Sequence, residues 1–374
     1  MNIDDNNENQ DGTLENNPEQ SSTEPTQKTG NYTTNESGLK TPPPVHTTNS
    51  ISQWGRNNLD LSLISNTVDK IKDEMQKIII GQEDMMDLLL VALFTGGHVL
   101  IEGVPGIAKT LSAKLLAQTF SVDFARIQFT PDLMPTDVVG TNVFNMKDSD
   151  FSFNKGPIFS NVVLIDEINR APAKTQSALF EVMEEYQVTV DGVTYPMEFP
   201  FFVIATQNPI EQEGTYKLPE AQLDRFLFKI VMEYPNLDEE KAILNRFKND
   251  FRIKQRKSVL PVCSAAEIKA CQELIEQVHI KEELINYIAG IIHNTRNNGD
   301  LFLGASPRAS LAILKASKAM AAMSGRDFVT PDDIQQVAYP VLNHRIILTP
   351  EREMEGFDTK HVVNDIVKKI EVPR

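Results

Sequence analysis

The sequence predicts an α/β fold: a three-layer core around a parallel five-stranded sheet, followed by a small all-α domain. Three observations predict it. Five short apolar runs read as buried strands, with helical patterns between several of them. One run leads through GVPGIAKT (Gly103 to Thr110) into a helical stretch, and strand, glycine-bearing loop, Lys-Thr and helix are the parts of a phosphate cradle. After about Pro235 the pattern becomes helices only.

The elements follow in order. Residues 1–55 are rich in Asn, Thr, Glu, Gln, Ser and Pro, and residues 1–50 hold eight acids against two bases. Such a stretch buries too little apolar surface to offset its ordering entropy, so a disordered acidic tail is expected. Order is expected from about Leu61. Val68, Ile71, Met75, Ile78 and Ile79 recur at helical spacing, and GQEDMMDLLLVALFT reads as a second helix ending at Gly96-Gly97. The expected strands are VLIE (99–102), FARIQF (124–129), VVLID (162–166), FFVIAT (201–206) and FLFKIV (226–231). Two hairpins interrupt them. QVTVDGVTYPM turns at Asp191-Gly192, a strong hairpin signal, and VFNMKDSDFSFN turns at Lys147 to Asp150. Phe144, Phe151 and Phe153 on the latter are expected to pack it onto the core rather than to grip a client. Further on, Ser264-Ala-Ala-Glu267 is a capping box. Ser306-Pro307 and Thr330-Pro331 each place an N-cap and an N1 proline. The chain thus divides into the tail (1–55), a core with two hairpin inserts (61–235), a helical domain (236–355) and a C-terminal extension (356–374).

The residues with chemistry sit at the ends of these elements. In the cradle, backbone N–H groups and the positive helix end face a polyphosphate; Lys109 reaches its β- and γ-phosphates and the Thr110 hydroxyl holds Mg²⁺. Ala108 stands where glycine is usual. The loop becomes helix there, so a small residue with negative φ is expected. Asp166 and Glu167 end an apolar strand, where open parallel sheets place ligands. One carboxylate, Asp166, suits the metal, and the other, Glu167, a water aimed at the γ-phosphate. Asn208 follows another strand; its amide suits that water or the γ-phosphate, while an Asn-Pro pair also starts turns. Arg225 reads either as a local ion pair or as an arginine finger for a neighbouring subunit. Arg308 lies in a helix's first turn, against the dipole, which calls for a compensating anion, either a phosphate or a carboxylate.

Composition limits the alternatives. Hydrophobic content is 41%, and no apolar run approaches the roughly 20 residues that span a bilayer. The N-terminus lacks the basic and apolar regions of a secretory signal, so the cytoplasm is expected. Two cysteines, Cys263 and Cys271, support neither a zinc site nor a disulfide framework. A net charge of −16 disfavours nucleic acid as a partner.

Taken together, EGVPGIAKT, FTPDLMPTDVVGT, GPIFSNVVLIDEINRAPAKTQSALFEVMEE, FFVIATQNPIEQEGTYKLPEAQLDRF and LGASPRASLAILKASKAMA resemble the AAA+ ATPases, and most closely the MoxR family. The resemblance spans roughly residues 75–350 and leaves out the tail. It implies a P-loop NTPase (AAA+) core with a helical lid, using ATP and Mg²⁺. Gly103, Val104, Pro105, Gly106, Ile107, Ala108, Lys109 and Thr110 would form Walker A, with alanine at 108 as in the family. Thr110 and Asp166 would hold the metal, and Asp166 and Glu167 would form Walker B. Asn208 would be sensor 1, Arg225 a finger acting in trans, and Arg308 sensor 2, closing the lid on the nucleotide. Ile80, Gly81 and Gln82 would border the adenine. The hairpins look like family inserts, which line the pore in related rings. The implied activity is ATP hydrolysis by a homo-oligomeric ring, a hexamer, that remodels partners carrying von Willebrand factor A domains. Two other readings share the motifs: a DNA-directed motor of the helicase or loader type, and a non-catalytic nucleotide-gated scaffold.

Overall fold

The computed structural model describes residues 59–147, 149–209, 214–248 and 259–373; the expected tail lies outside them. Helices α1 (Ser62–Gln76) and α2 (Glu83–Phe94) precede β1 (Val99–Glu102), α3 (Lys109–Gln118), β2 (Phe124–Gln128) and α4 (Pro135–Val139). A hairpin of β3 (Gly140–Asn145) and β4 (Asp150–Lys155) leads to β5 (Val162–Asp166) and α5 (Ala173–Glu185). A second hairpin, β6 (Gln187–Val190) and β7 (Val193–Pro196), is followed by β8 (Phe202–Gln207), α6 (Glu220–Leu223) and β9 (Phe228–Val231).

The five expected strands form one parallel sheet in the order β2-β5-β8-β1-β9. Side chains of a strand alternate between faces, and here both faces are covered. Val162, Leu164, Phe202 and Ile204 pack into one cluster with α1, α2 and α3. Val163, Ile165, Val203 and Ala205 pack into another with Leu179, Phe180 and Met183 of α5. That is the expected three-layer core. Three strands shift slightly at their ends: β2 stops at Gln128, β8 runs from Phe202 to Gln207, and β9 begins at Phe228.

The remaining elements are α7 (Leu237–Phe247), α8 (Ala265–Glu276), α9 (Glu282–Arg296), β10 (Leu301–Leu303), α10 (Pro307–Met323), α11 (Pro331–Leu342), β11 (Ile347–Leu348), α12 (Pro350–Met354) and α13 (Thr359–Lys369). The expectation of helices only is corrected by β10 and β11, which pair antiparallel. Strands of three and two residues are too short for periodicity to register. Packing does not stop at residue 355: α13 lies on α9 and α11 and buries Val362, Val363, Ile366 and Val367. The capping box at Ser264 forms as expected, and Thr330 and Pro331 take the expected N-cap and N1 positions of α11, where the Thr330 N–H also donates to Asp333 Oδ2 at 2.7 Å. Ser306 occupies the N-cap position of α10, but its hydroxyl bonds Asp224 Oδ2 at 3.0 Å instead of capping the helix. Helix α10 packs against α1 and α2 as well as its own neighbours, so the helical domain shares the core's first cluster.

The turn Asp191-Gly192 has both φ angles positive, 49° and 80°, as a tight hairpin turn requires. At the base of the first hairpin, a Cβ on Gly140 would lie 2.3 Å from the Asn154 carbonyl oxygen, so no other residue fits. The three phenylalanines of that hairpin divide. Phe153 stacks on Tyr195 of the second hairpin at 4.4 Å and meets Phe159 edge-on at 5.7 Å. Phe144 and Phe151 touch each other but stay 49% and 67% exposed, so the expected packing holds for Phe153 alone. Among the described residues no helix is long and apolar enough to cross a membrane.

Candidate active site

The cleft is built along the C-terminal edge of the sheet, where β1 passes through Gly103–Ala108 into α3. Gly103 is held tightly: a Cβ there would sit 2.4 Å from Ile107 Cδ1 and 3.1 Å from the Met232 carbonyl oxygen. Val104 is half-buried, Ile107 is buried beneath the loop, and Pro105 and Gly106 are exposed at its crest. Ala108 has φ +66°, which corrects the expected negative angle. The loop reaches α3 through a left-handed residue, and alanine carries the steric penalty that glycine would avoid. No side chain caps the N-terminus of α3, so its first N–H groups face the cleft. Lys109 folds back over the loop, its Nζ donating to the carbonyls of Gly103 (2.5 Å) and Gln207 (3.1 Å).

Thr110, one position on, donates from Oγ1 to Asp166 Oδ1 at 3.1 Å. Asp166 ends β5 and is buried. Its carboxylate also accepts from Thr206 Oγ1 (3.1 Å) and from Arg126 Nε (2.6 Å). A hydroxyl and a carboxylate in contact are the hard oxygen donors that Mg²⁺ takes alongside retained waters and phosphates, so Thr110 and Asp166 fit that ion. Glu167 leaves the strand with φ +56°. Its N–H donates to Thr206 Oγ1 (3.1 Å), while its side-chain Oε2 accepts from Gln128 Nε2 (2.7 Å) and pairs with Arg170 Nε (3.0 Å). The two adjacent carboxylates therefore face different neighbours. Asn208 is buried just beyond β8, between this pair and the loop.

Arg126 and Gln128 were not anticipated. They sit two apart on β2, so they share a face, and the register sets Gln128 opposite Asp166. That alternation was the available signal, but it has meaning only once β2 is known to lie beside β5.

On the other flank, Gln82 Nε2 donates to the Ile107 carbonyl at 3.2 Å, while its buried Oε1 has no hydrogen-bond partner among the described residues. Gly81 (φ +68°) lies against Glu239. Gly81, Gln82, Met232, Tyr234 and Tyr339 line a cleft of about 780 Å³, with half-buried Ile80 beside it. The cleft mixes aromatic residues, Tyr234 and Tyr339, with charged ones, Glu83, Asp84, Lys229 and Glu239, so it offers both stacking surface and polar partners.

The two arginines lie elsewhere. Arg225 precedes β9 and Arg308 opens α10, and both bind Glu184 at the end of α5: Nη2 of Arg225 at 2.7 Å and Nη2 of Arg308 at 2.5 Å. These contacts are at the N-terminal edge of the sheet, where the backbone joins Leu227 to His98. A four-residue strand spans about 13 Å, so that edge is well removed from the cradle. Arg308, expected to close the lid on its own nucleotide, does not face its own cradle in this structure. Its compensating anion is Glu184, with Asp224 at 3.9 Å, because Ser306 and Arg345 pin the start of α10 and the end of α11 to Asp224. Arg345, also unanticipated, is buried; it binds Asp224 Oδ1 at 2.7 Å and the carbonyls of Asp224, Phe226, Leu227 and Val341.

Comparison with known proteins agrees with this geometry. Residues 98–228 match the family model described as "ATPase family associated with various cellular activities (AAA)", and residues 293–369 match an AAA lid domain. YeaC of Bacillus subtilis is 45% identical over 304 residues, covering 81% of this chain and 94% of that protein. Chaperone MoxR1 of Mycobacterium tuberculosis is 42% identical over 317 residues, covering 82% and 83%. The crystal structure of a candidate ATPase from Cytophaga hutchinsonii superposes with a TM-score of 0.77 at 44% identity, covering 84% of this chain and 97% of that one. With a glycine-bearing loop at the sheet edge and relatives matched over most of their length, this chain belongs to the MoxR family of AAA+ ATPases and hydrolyses ATP.

Proposed function

We propose that the chain assembles into a ring, a hexamer, in which each protomer binds ATP with Mg²⁺ and the adjoining protomer completes the site. Turnover is used to remodel partner proteins, with von Willebrand factor A domains as the client class. The placement of the arginines carries this reading. Arg225 and Arg308 stand together at the opposite edge from the cradle, so neither meets the triphosphate of its own chain, while a neighbour packed head to tail would receive both.

Each residue then has a task. The N–H groups of Gly106 to Thr110 hold the phosphates. Lys109 leaves its carbonyl partners for the β- and γ-phosphates. Thr110 and Asp166 would hold Mg²⁺, which would supply charge neutralisation to the phosphates. Glu167 orients the attacking water and takes its proton, and Asn208 fixes that water or the γ-phosphate. Arg126 and Gln128 hold Asp166 and Glu167 in place beforehand. Gly81, Gln82 and Ile80 border the adenine. Arg225 and Arg308 come from the adjoining protomer to meet the γ-phosphate, a contribution worth about 10³–10⁵ in rate where such a finger acts. The acidic balance of the chain counts against DNA as the client.

The test is a set of single variants. Lys109→Ala abolishes ATP binding by calorimetry; Glu167→Gln binds ATP and releases no phosphate. Arg225→Ala and Arg308→Ala each bind ATP with wild-type affinity but turn it over slowly. Weakened binding in Arg308→Ala would return that residue to its own protomer's nucleotide. ATPase activity stimulated by DNA would favour the motor reading.

A further inference from the structure

The cluster at the N-terminal edge contains one residue that neither the motifs nor the proposed roles use. Glu184 is the penultimate residue of α5, with a half-exposed side chain. Each of its oxygens serves a different arginine: Oε2 takes Nη2 of Arg225, and Oε1 takes Nη2 of Arg308. Arg225 comes from the core and Arg308 from the helical domain, so a single carboxylate joins the two. Arg225 is held further by its Nη1, which donates to the Phe180 carbonyl at 2.5 Å. Its buried Nε has no hydrogen-bond partner among the described residues. Arg308 is freer, with its side chain 52% exposed and, among the described residues, Asp224 as its other anionic partner, at 3.9 Å. Asp224 is already committed to Arg345 and Ser306. The local charge is unbalanced: among the described residues, Arg225, Arg308 and Arg345 make their ion pairs with two carboxylates, Glu184 and Asp224. An excess cation, an unused donor and two guanidiniums held side by side make an incomplete anion receptor.

We propose that Glu184 is the positioning residue of this face: its carboxylate holds Arg225 and Arg308 side by side as one receptor for the γ-phosphate of an adjoining protomer's nucleotide. Without it the two guanidiniums repel each other, and the exposed Arg308 swings away from the pair. Glu184 itself touches no substrate. It couples the helical domain to the finger, because displacing α10 moves Arg308 relative to Arg225. The proposal rests on the ring reading above.

Glu184→Ala and Glu184→Gln test it in the full-length chain. The glutamine variant retains one acceptor oxygen and the shape of the side chain, so it also controls for folding. Glu184→Ala is expected to lower kcat at least about tenfold, in line with the cost of misplacing groups near a reacting centre, with the KM for ATP unchanged within about twofold. Glu184→Gln falls between it and the wild type. A structural lesion of α5 would instead raise KM or remove ATP binding. Mixing separates the sides of the interface. Glu184→Ala mixed with Lys109→Ala recovers activity, since the Lys109 variant still supplies an intact arginine pair. Glu184→Ala mixed with Arg225→Ala does not, since both lesions lie on one face. Wild-type kcat in Glu184→Ala, or recovery in the second mixture but not the first, overturns the proposal. If Arg225→Ala and Lys109→Ala also fail to complement each other, the ring reading itself has failed; if they complement and the Glu184 mixtures do not behave as stated, only the role of Glu184 has.

Discussion

Among the described residues, three of the six non-glycine residues with positive φ, Gln82, Ala108 and Glu167, lie at the cradle or beside it. Two of the others are hairpin turns, and Tyr186 ends α5. Left-handed backbone at an L-residue costs of order 1–2 kcal/mol, so strain is concentrated around the cradle. Ala108 gives a direct check. Ala108→Gly should keep ATP affinity and lose no stability, whereas Ala108→Val, β-branched at a positive φ, should lose about 2 kcal/mol and weaken ATP binding. Denaturant unfolding and calorimetry read the two effects. Arg345 is the opposite case, a charge buried with every neighbour committed to it. Arg345→Met leaves Asp224 and four carbonyls short of a donor, and should cost about 3–5 kcal/mol in denaturant unfolding. Lys109, Thr110, Asp166 and Glu167 were legible because each lies next to its own motif. Arg126, Gln128, Glu184 and Arg345 were not, since each gains its partner only when distant strands and helices meet.

Elements were legible in proportion to their burial. Strand β5 is apolar from Val162 to Ile165 and buried throughout, so the sequence marks it without tertiary help. The ribbon of β10 and β11 carries no such signal. The first hairpin was legible as a hairpin, but not the fate of its aromatic residues, which depends on Tyr195 from the second. Phe153→Ala should therefore cost more stability than Phe144→Ala or Phe151→Ala, which stay within about 0.5 kcal/mol of wild type in denaturant unfolding, as exposed substitutions do. The N-terminal ends of β1 and β8 meet at His98, whose Nδ1 accepts from the Val203 N–H at 3.1 Å and whose Nε2 faces the Met183 carbonyl. Burial pushes its pKa from 6.5 down to about 4. In the unfolded chain it protonates near 6.5, so its contribution is complete above that pH and declines as the pH falls. Below about 4 roughly 3 kcal/mol has been lost, by linkage. His344 is shifted in the same direction by burial and by Arg345. Thermal unfolding from pH 7 to pH 5 should show a falling midpoint, and a shallower fall in His98→Gln.

At the scale of the whole molecule, one sheet separates two chemistries. Its C-terminal edge holds the cradle and the paired carboxylates, with the Gln82 cleft beside them; its N-terminal edge holds the arginines and their carboxylate partners. The helical domain reaches both, lining the cleft through Tyr339 and joining the arginine cluster through Arg308 and Arg345. In the proposed ring, a protomer so arranged contributes half of a catalytic site on each of two faces, and a neighbour closes the set. The motifs named the parts, but the sequence alone could not show that Arg308 stands on the same face as Arg225, because that depends on where α10 docks. Mixing Lys109→Ala, which lacks the cradle, with Arg225→Ala, which lacks the finger, examines this arrangement directly. In a ring of randomly mixed protomers at equal amounts, about one quarter of the interfaces carry an intact cradle facing an intact finger, and phosphate release should recover to about that share of wild type. If the mixture stays as inactive as its two components, each site is complete within a single chain and the shared site is wrong.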